Sequence, residues 1–176
     1  MADLPHRRAF LKFLASGSAA AAATASLLAE DKAAIPKTHV FKKVGDLEIK
    51  ADVYQPATDK NCPVVMWIHG GALIMGDRRG IDADLRDMML KAGYAVVSID
   101  YRLAPETKLP AILEDVQDGY RWVREHGPDL FHIDPNRIAV MDGSAGGYLT
   151  QATDFRVNPR PKALVSFWGY DDITNE

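Results

Sequence analysis

The chain has 176 residues, 47% of them hydrophobic and 26% charged, with a formal net charge of -3. Those values exclude a disordered or fibrous chain, and no basic patch with interleaved aromatics is present, which excludes nucleic acid as a partner. The single cysteine, Cys62, excludes an intrachain disulfide and any multi-cysteine metal site. It stands just before Pro63 and an apolar run, the setting of a buried structural thiol.

Residues 1–34 differ in composition from the rest. Arg7 and Arg8 are followed by Phe10, Leu11 and Lys12, and from Phe13 to Ala29 there is no charge, only an alanine-, serine- and leucine-dominated run. A positive start, an apolar middle and small residues near a cut site make an export signal. The R-R-x-F-L-K arrangement resembles the twin-arginine signal of bacteria, which implies the twin-arginine export machinery as a partner and a periplasmic or extracellular destination. A membrane span would need ~20 strongly apolar residues, and this run is shorter and mostly alanine. Cleavage is expected between Ala25 and Ala34, leaving 35–176 as one domain.

Past Ile35 the pattern alternates. THVFKKV and LEIKADVY are half-polar runs of period two separated by Gly45-Asp46, and they read as an antiparallel hairpin at a sheet edge. PVVMWIHGG is almost wholly apolar, as in a strand buried on both faces. A helix follows in which Leu85, Met88, Met89 and Ala92 share one face, stopped by Gly93. YAVVSIDY is a second buried strand. The next helix is expected over Pro110 to His126, with Ile112, Val116, Tyr120 and Val123 as its apolar stripe and Gly127 as its stop. RIAVM reads as a third buried strand entered through the turn IDPN, followed by a short helix after Ser144 and a last strand, ALVSFW. Buried strands alternating with amphipathic helices predict an α/β fold: a mostly parallel sheet with helices on both faces.

In such a sheet, ligands bind beyond the carboxyl ends of the strands. Three strands end there in residues with chemical content: His69-Gly70-Gly71-Ala72, then Asp100-Tyr101-Arg102-Leu103-Ala104-Pro105-Glu106, then Asp142-Gly143-Ser144-Ala145-Gly146-Gly147. A serine becomes a nucleophile when its hydroxyl is held exposed and a base takes its proton. A sharp strand-to-helix turn between small residues does the holding and aims the N–H of Ala145 at the site, with Gly70 or Gly71 as a second oxyanion donor. Alone, His-Gly-Gly is also a glycine turn after a strand, and the serine is also a helix cap. Both motifs in this order, after buried strands, favour the catalytic reading.

HGGA, DYRLAPE and GSAGG in this order resemble the hormone-sensitive-lipase-like branch of the α/β-hydrolase carboxylesterases and lipases, from about His39 to the end of the chain. The resemblance implies Ser144 as nucleophile, oxyanion donors at Gly70, Gly71 and Ala145, an ester substrate, and no metal or cofactor. It makes His69 an architectural residue, with Asp142, Gly143 and Gly146 supporting the turn. Asp100, Arg102 and Glu106 are expected to brace loops rather than touch substrate.

Two features depart from that pattern. Asp142 stands two residues before Ser144, where such a turn normally carries glycine, so strain on the order of 1–3 kcal/mol is expected there. The five histidines, His6, His39, His69, His126 and His132, all precede Ser144, whereas the triad of this fold runs serine, acid, histidine. His126 and His132 are expected near the opposite end of the strand that leads to Ser144. Asp171 and Asp172 sit where some lipases of the fold carry their acid. ALVSFW would be an apolar, unprotected edge strand, and native proteins avoid such edges. The expectation is therefore the amino-terminal part of a larger hydrolase, lacking the last strands and nearly inert by itself. The alternatives are a non-catalytic remnant of the fold, or a peptidase or polysaccharide deacetylase built on it.

Overall fold

In a computed structural model of the chain, residues 34–58 and 60–170 are described; the expected signal, apart from its last residue, and Asp171 and Asp172 lie outside them. Six strands form one sheet. They are β1 (Lys37–Val44), β2 (Leu47–Tyr54), β3 (Cys62–Ile68), β4 (Ala95–Ile99), β5 (Ile133–Gly143) and β6 (Ala163–Phe167), in the spatial order β1-β2-β4-β3-β5-β6. Three helices connect them: α1 (Ala83–Lys91), α2 (Leu109–Phe131) and α3 (Ser144–Arg156).

The period-two runs form the expected antiparallel hairpin at one edge, from Val44↔Leu47 to Lys37↔Val53. Inside the sheet, β4, β3, β5 and β6 run parallel, which places the carboxyl ends of β3, β4 and β5 along one rim. Every residue of β4 is buried, as are all but one of β3, because the apolar runs have helices or turns on each face. Val64, Met66 and Ile68 join Ile112, Leu113, Val116, Tyr120 and Val123 of α2 and Leu149 and Ala152 of α3 in a common core. The alternate residues Val65 and Trp67 are buried outside that cluster, Trp67 lying beside Gly80.

Local chemistry sets the helix ends. The Asp82 side chain accepts the Leu85 N–H at 2.9 Å and starts α1, and Gly93 ends it as expected. No residue of α1 is fully buried, and Met88 is exposed, so the expected apolar face is only half covered.

The expected stop of α2 at Gly127 is wrong: the helix continues through Gly127 and Pro128 to Phe131. Gly127 there serves close packing, since a Cβ would lie 2.7 Å from Ile133 Cγ1, and the extra turn buries Phe131. His132, left-handed at φ 54°, then closes the helix. IDPN also belongs to β5 rather than preceding it, as a bulge in which pairing jumps from Cys62↔Ile133 to Val64↔Ile138. The turn chemistry persists inside the bulge, because the Asp134 carboxylate accepts the Asn136 N–H at 2.9 Å.

Cys62 is buried, and its thiol donates to the His132 carbonyl at 3.7 Å, a structural role. Among the described residues β6 has no neighbour beyond β5, and Val165 and Phe167 are 38% and 41% exposed.

Candidate active site

β5 passes into α3 without an intervening loop: Gly143 is the last strand residue and Ser144 the first of the helix. Ser144 makes that junction in the left-handed region at φ 57°, unusual for a residue with a side chain. Strain of this kind costs on the order of 1–3 kcal/mol and is characteristic of functional sites. Ala145 behind it is fully buried. The turn is so tight that α3 lies directly against the end of β3. A Cβ at Gly146 would sit 1.9 Å from the Ile68 carbonyl oxygen, so only glycine fits.

The expectation of strain at Asp142 is corrected by this geometry. Asp142 is an ordinary strand residue, paired with Ser166 and absent from the positive-φ residues. The bend falls two residues later, and the space for the Asp142 side chain comes from the missing Cβ of Gly146, which would lie 2.4 Å from Oδ2. Burial pushes the Asp142 carboxyl up to about 6, opposed by N–H groups of Gly143, Trp67 and Gly70 that face it.

After β3 the chain reverses through Gly71 (φ 109°), Ala72 (φ 53°) and Leu73 (φ 65°). A Cβ on Gly71 would meet the Met75 carbonyl oxygen at 2.1 Å, and the N–H groups of Ile74 and Met75 both donate to the Gly71 carbonyl at 3.0 Å. This turn lies against the serine: a Cβ placed on Gly70 would be 3.6 Å from Ser144 Cβ and 3.3 Å from the Gly143 carbonyl oxygen. The glycine turn and the serine turn are thus brought together, as their positions at neighbouring strand ends implied. The Gly70 N–H, however, faces the Asp142 carboxylate. Of the three expected oxyanion donors, Gly71 and Ala145 are the two without that engagement.

His69 is buried, and its Nδ1 donates to the Gly70 carbonyl at 2.7 Å. Its ring stacks on Tyr101 at 4.1 Å, and burial holds its pKa below the usual histidine value. Tyr101, buried at the end of β4, donates from its hydroxyl to the His69 carbonyl at 2.8 Å. Tyr101 was not singled out from the sequence; its place between Asp100 and Arg102 was the available signal.

Asp100 accepts from the Arg78 backbone N–H at 2.9 Å and from its Nη1 at 2.8 Å, and Arg78 Nε also reaches Asp52 at 2.9 Å. Arg102 grips fully buried Asp115 with Nε to Oδ2 at 2.7 Å and Nη2 to Oδ1 at 2.8 Å. The loop that Arg102 anchors touches the glycine turn, the Ala104 N–H donating to the Leu73 carbonyl at 2.8 Å. Asp100 and Arg102 therefore brace loops, as expected. Glu106 does not: it is exposed and has no hydrogen bond or ion pair among the described residues. Asp115 was missed, although a carboxylate beside the apolar stripe of α2 was legible as a buried ion-pair partner.

These turns border a cleft of about 740 Å³, walled by Trp67, Met75, Leu85, Phe167 and Trp168, with Ser144 and Asp142 on its rim. None of the described histidines serves Ser144 as a base. His39 packs between Trp122 and Phe131, His132 stands at the far end of β5, and His69 is committed to its own turn. His126 lies on α2 with Phe41, Trp122 and Glu125 around a separate hollow.

Comparison with known proteins agrees with the fold and the motifs. Residues 51–160 match the BD-FAE family. The chain is 45% identical over 98 residues to Esterase LipI of Mycobacterium tuberculosis, covering 54% of this chain and 30% of that protein. It is 32% identical over 154 residues to the non-reducing polyketide synthase atr1 of Stereocaulon alpinum, covering 80% of this chain and 6% of the synthase. A propionate-bound esterase of Thermogutta terrifontis superposes with a TM-score of 0.68 at 24% identity, over 80% of this chain and 56% of that one. The chain thus spans well under two thirds of each of these relatives. The α/β-hydrolase sheet, the paired glycine and serine turns and the match over residues 51–160 together establish that the chain belongs to the BD-FAE family.

Proposed function

We propose that the chain carries the nucleophile and oxyanion half of a carboxylic ester hydrolase, an esterase or lipase. The observation that carries this reading is Ser144 itself: left-handed at φ 57°, at a strand–helix junction, against the glycine turn and on the rim of an apolar cleft. Ser144 Oγ attacks the ester carbonyl carbon while a base takes its proton. The negative oxygen is held by the N–H groups of Ala145 and Gly71. Collapse expels the alcohol and leaves an acyl-serine, which water then cleaves to the acid. His69 holds the glycine turn in shape, and Gly143 and Gly146 let the serine turn close.

The base and the acid that orients it lie outside the described residues. The 176 residues alone are expected to retain only ~10³–10⁴-fold catalysis over water, because no described histidine reaches Ser144. The apolar wall of the cleft suits an uncharged acyl or alcohol group. Export by the twin-arginine route to the periplasm or the exterior completes the proposal; the pair Arg7-Arg8 and the uncharged run after it support that part.

Hydrolysis of a short nitrophenyl ester by the protein in a form that carries the base and the acid, against its Ser144→Ala variant, is the test. Turnover that falls by roughly 10³-fold or more in the variant supports Ser144 as nucleophile. Turnover unchanged by the substitution refutes it and favours a non-catalytic use of the fold.

A further inference from the structure

The Asp142 carboxylate is half-buried and borders the cleft. It lies where Gly146 has no Cβ, and its Oδ2 and the Ile68 carbonyl oxygen border the same space: a Cβ on Gly146 would be 2.4 Å from the first and 1.9 Å from the second. Two acceptor oxygens that border one small, part-buried space are served by a donor between them. No cation fills that role. β5 offers the Gly143 N–H, while β3 and the turn after it offer the Trp67 side chain and the Gly70 N–H. α3 presents Gly146, and β6 pairs Ser166 beside Asp142. From the end of β4 comes the Tyr101 ring, whose hydroxyl proton is already given to the His69 carbonyl, and burial disfavours a charge on His69. Among the described residues no Lys, Arg or His forms an ion pair with Asp142.

We propose that Asp142 is a positioning residue that works as the neutral carboxylic acid: its O–H donates to the Ile68 carbonyl, and its carbonyl oxygen accepts the Gly70 N–H. In that form it bolts the glycine turn to the serine turn across the end of β3. It thereby holds Gly71, and the donor it offers the oxyanion, in register with Ala145. Losing the proton does two things. It turns the contact with Ile68 into repulsion between two acceptors, and it places a negative charge behind the oxyanion. An acid whose burial has already moved it up to about 6 is consistent with this use. The inference rests on the Ser144 reading for its consequence in catalysis, but not for the proton itself.

Two measurements keep those parts separate. Carbon-13 carboxyl NMR of the chain, with Asp142→Asn to assign the resonance, reads the proton whether or not the protein turns over. A midpoint near pH 6 is expected, and a midpoint in the ordinary range near 4 overturns the proposal. The second is the pH profile of ester hydrolysis, read in the form that carries the base and the acid. Asp142→Asn reproduces the neutral acid, with its amide N–H toward Ile68 and its oxygen toward Gly70. The ratio of its kcat to wild type is therefore expected to rise roughly tenfold or more between pH 5.5 and 8, with KM little changed. Asp142→Ala, which keeps neither contact, is expected to fall below Asp142→Asn at every pH. A pH-independent ratio, or an alanine variant as active as the asparagine one, also overturns it. If Ser144→Ala leaves ester turnover unchanged in the form that carries the base and the acid, the Ser144 reading falls while the titration still decides the proton.

Discussion

Replacing Asp115 with alanine tests how the loop behind the glycine turn is held. Asp115 has no exposed surface and accepts three hydrogen bonds from Arg102, through its backbone N–H at 3.1 Å, Nε at 2.7 Å and Nη2 at 2.8 Å. Lys42 Nζ from β1 adds a fourth contact at 2.8 Å. Truncation leaves two cations facing a hole, and breaking a buried pair from one side costs about 3–5 kcal/mol. The Arg102 and Lys42 side chains keep 17% and 15% of their surface in water. Each therefore recovers part of its solvation, and Lys42 retains Asp118 as a partner at 2.5 Å. The low end, about 3 kcal/mol, is the expected loss.

Urea denaturation followed by tryptophan fluorescence reads this directly. With an m-value of ~2 kcal/mol/M, the midpoint should fall by about 1.5 M at unchanged m. Asp115→Asn, which keeps an acceptor oxygen but not the charge, should lose about half as much. Amide exchange at Ala104 should quicken in the alanine variant, because its bond to the Leu73 carbonyl depends on the loop that Arg102 anchors. A loss under about 1 kcal/mol would refute the assignment of Asp115 as the anchor.

Two further outcomes are expected. Gly146→Ala drives a Cβ to 1.9 Å from the Ile68 carbonyl oxygen, which is backbone and cannot yield, so a loss of about 1–3 kcal/mol or more is expected in the same denaturation assay. Gly45→Ala, with no atom within 4 Å of the added Cβ, serves as the comparison, where only the positive φ resists. His39 is held below the ordinary histidine value by burial and then by Lys37. A depressed folded-state pKa contributes stability above pH 6.5 that is lost as pH falls through the folded value, because the unfolded chain takes the proton first. Thermal melts from pH 7.5 to 5 should fall less steeply for His39→Leu than for the wild type; parallel slopes would remove His39 as a source of acid lability.

Much of the architecture was present in the linear pattern. β3 and β4 announced themselves as apolar runs because a strand covered on both faces needs no polar residues, and the hairpin of β1 and β2 as alternation, although β2 is buried on both faces over residues 51–54, where it pairs with β4. The three chemical motifs could be placed at strand ends, and since parallel strands end on one rim, their convergence on one cleft followed from topology. Ser144, Gly70, Gly71 and Ala145 could be named for that reason.

What the sequence could not decide depended on contacts between segments distant along the chain. Gly127 reads as a helix stop, yet the demand to bury Phe131 against β5 carries α2 a further turn. Asp142 reads as an intruder in a tight turn. Folding places the bend at Ser144 and gives the carboxylate the space left by Gly146, against the Ile68 carbonyl and below Gly70. Periodicity and motif spacing report which face a residue takes and which turn it can make, because those are local properties of the backbone. Whether a carboxyl at the end of β5 is strained, ionised or protonated is set by what β3, β4 and α3 bring to it, and only the packed tertiary structure supplies those neighbours.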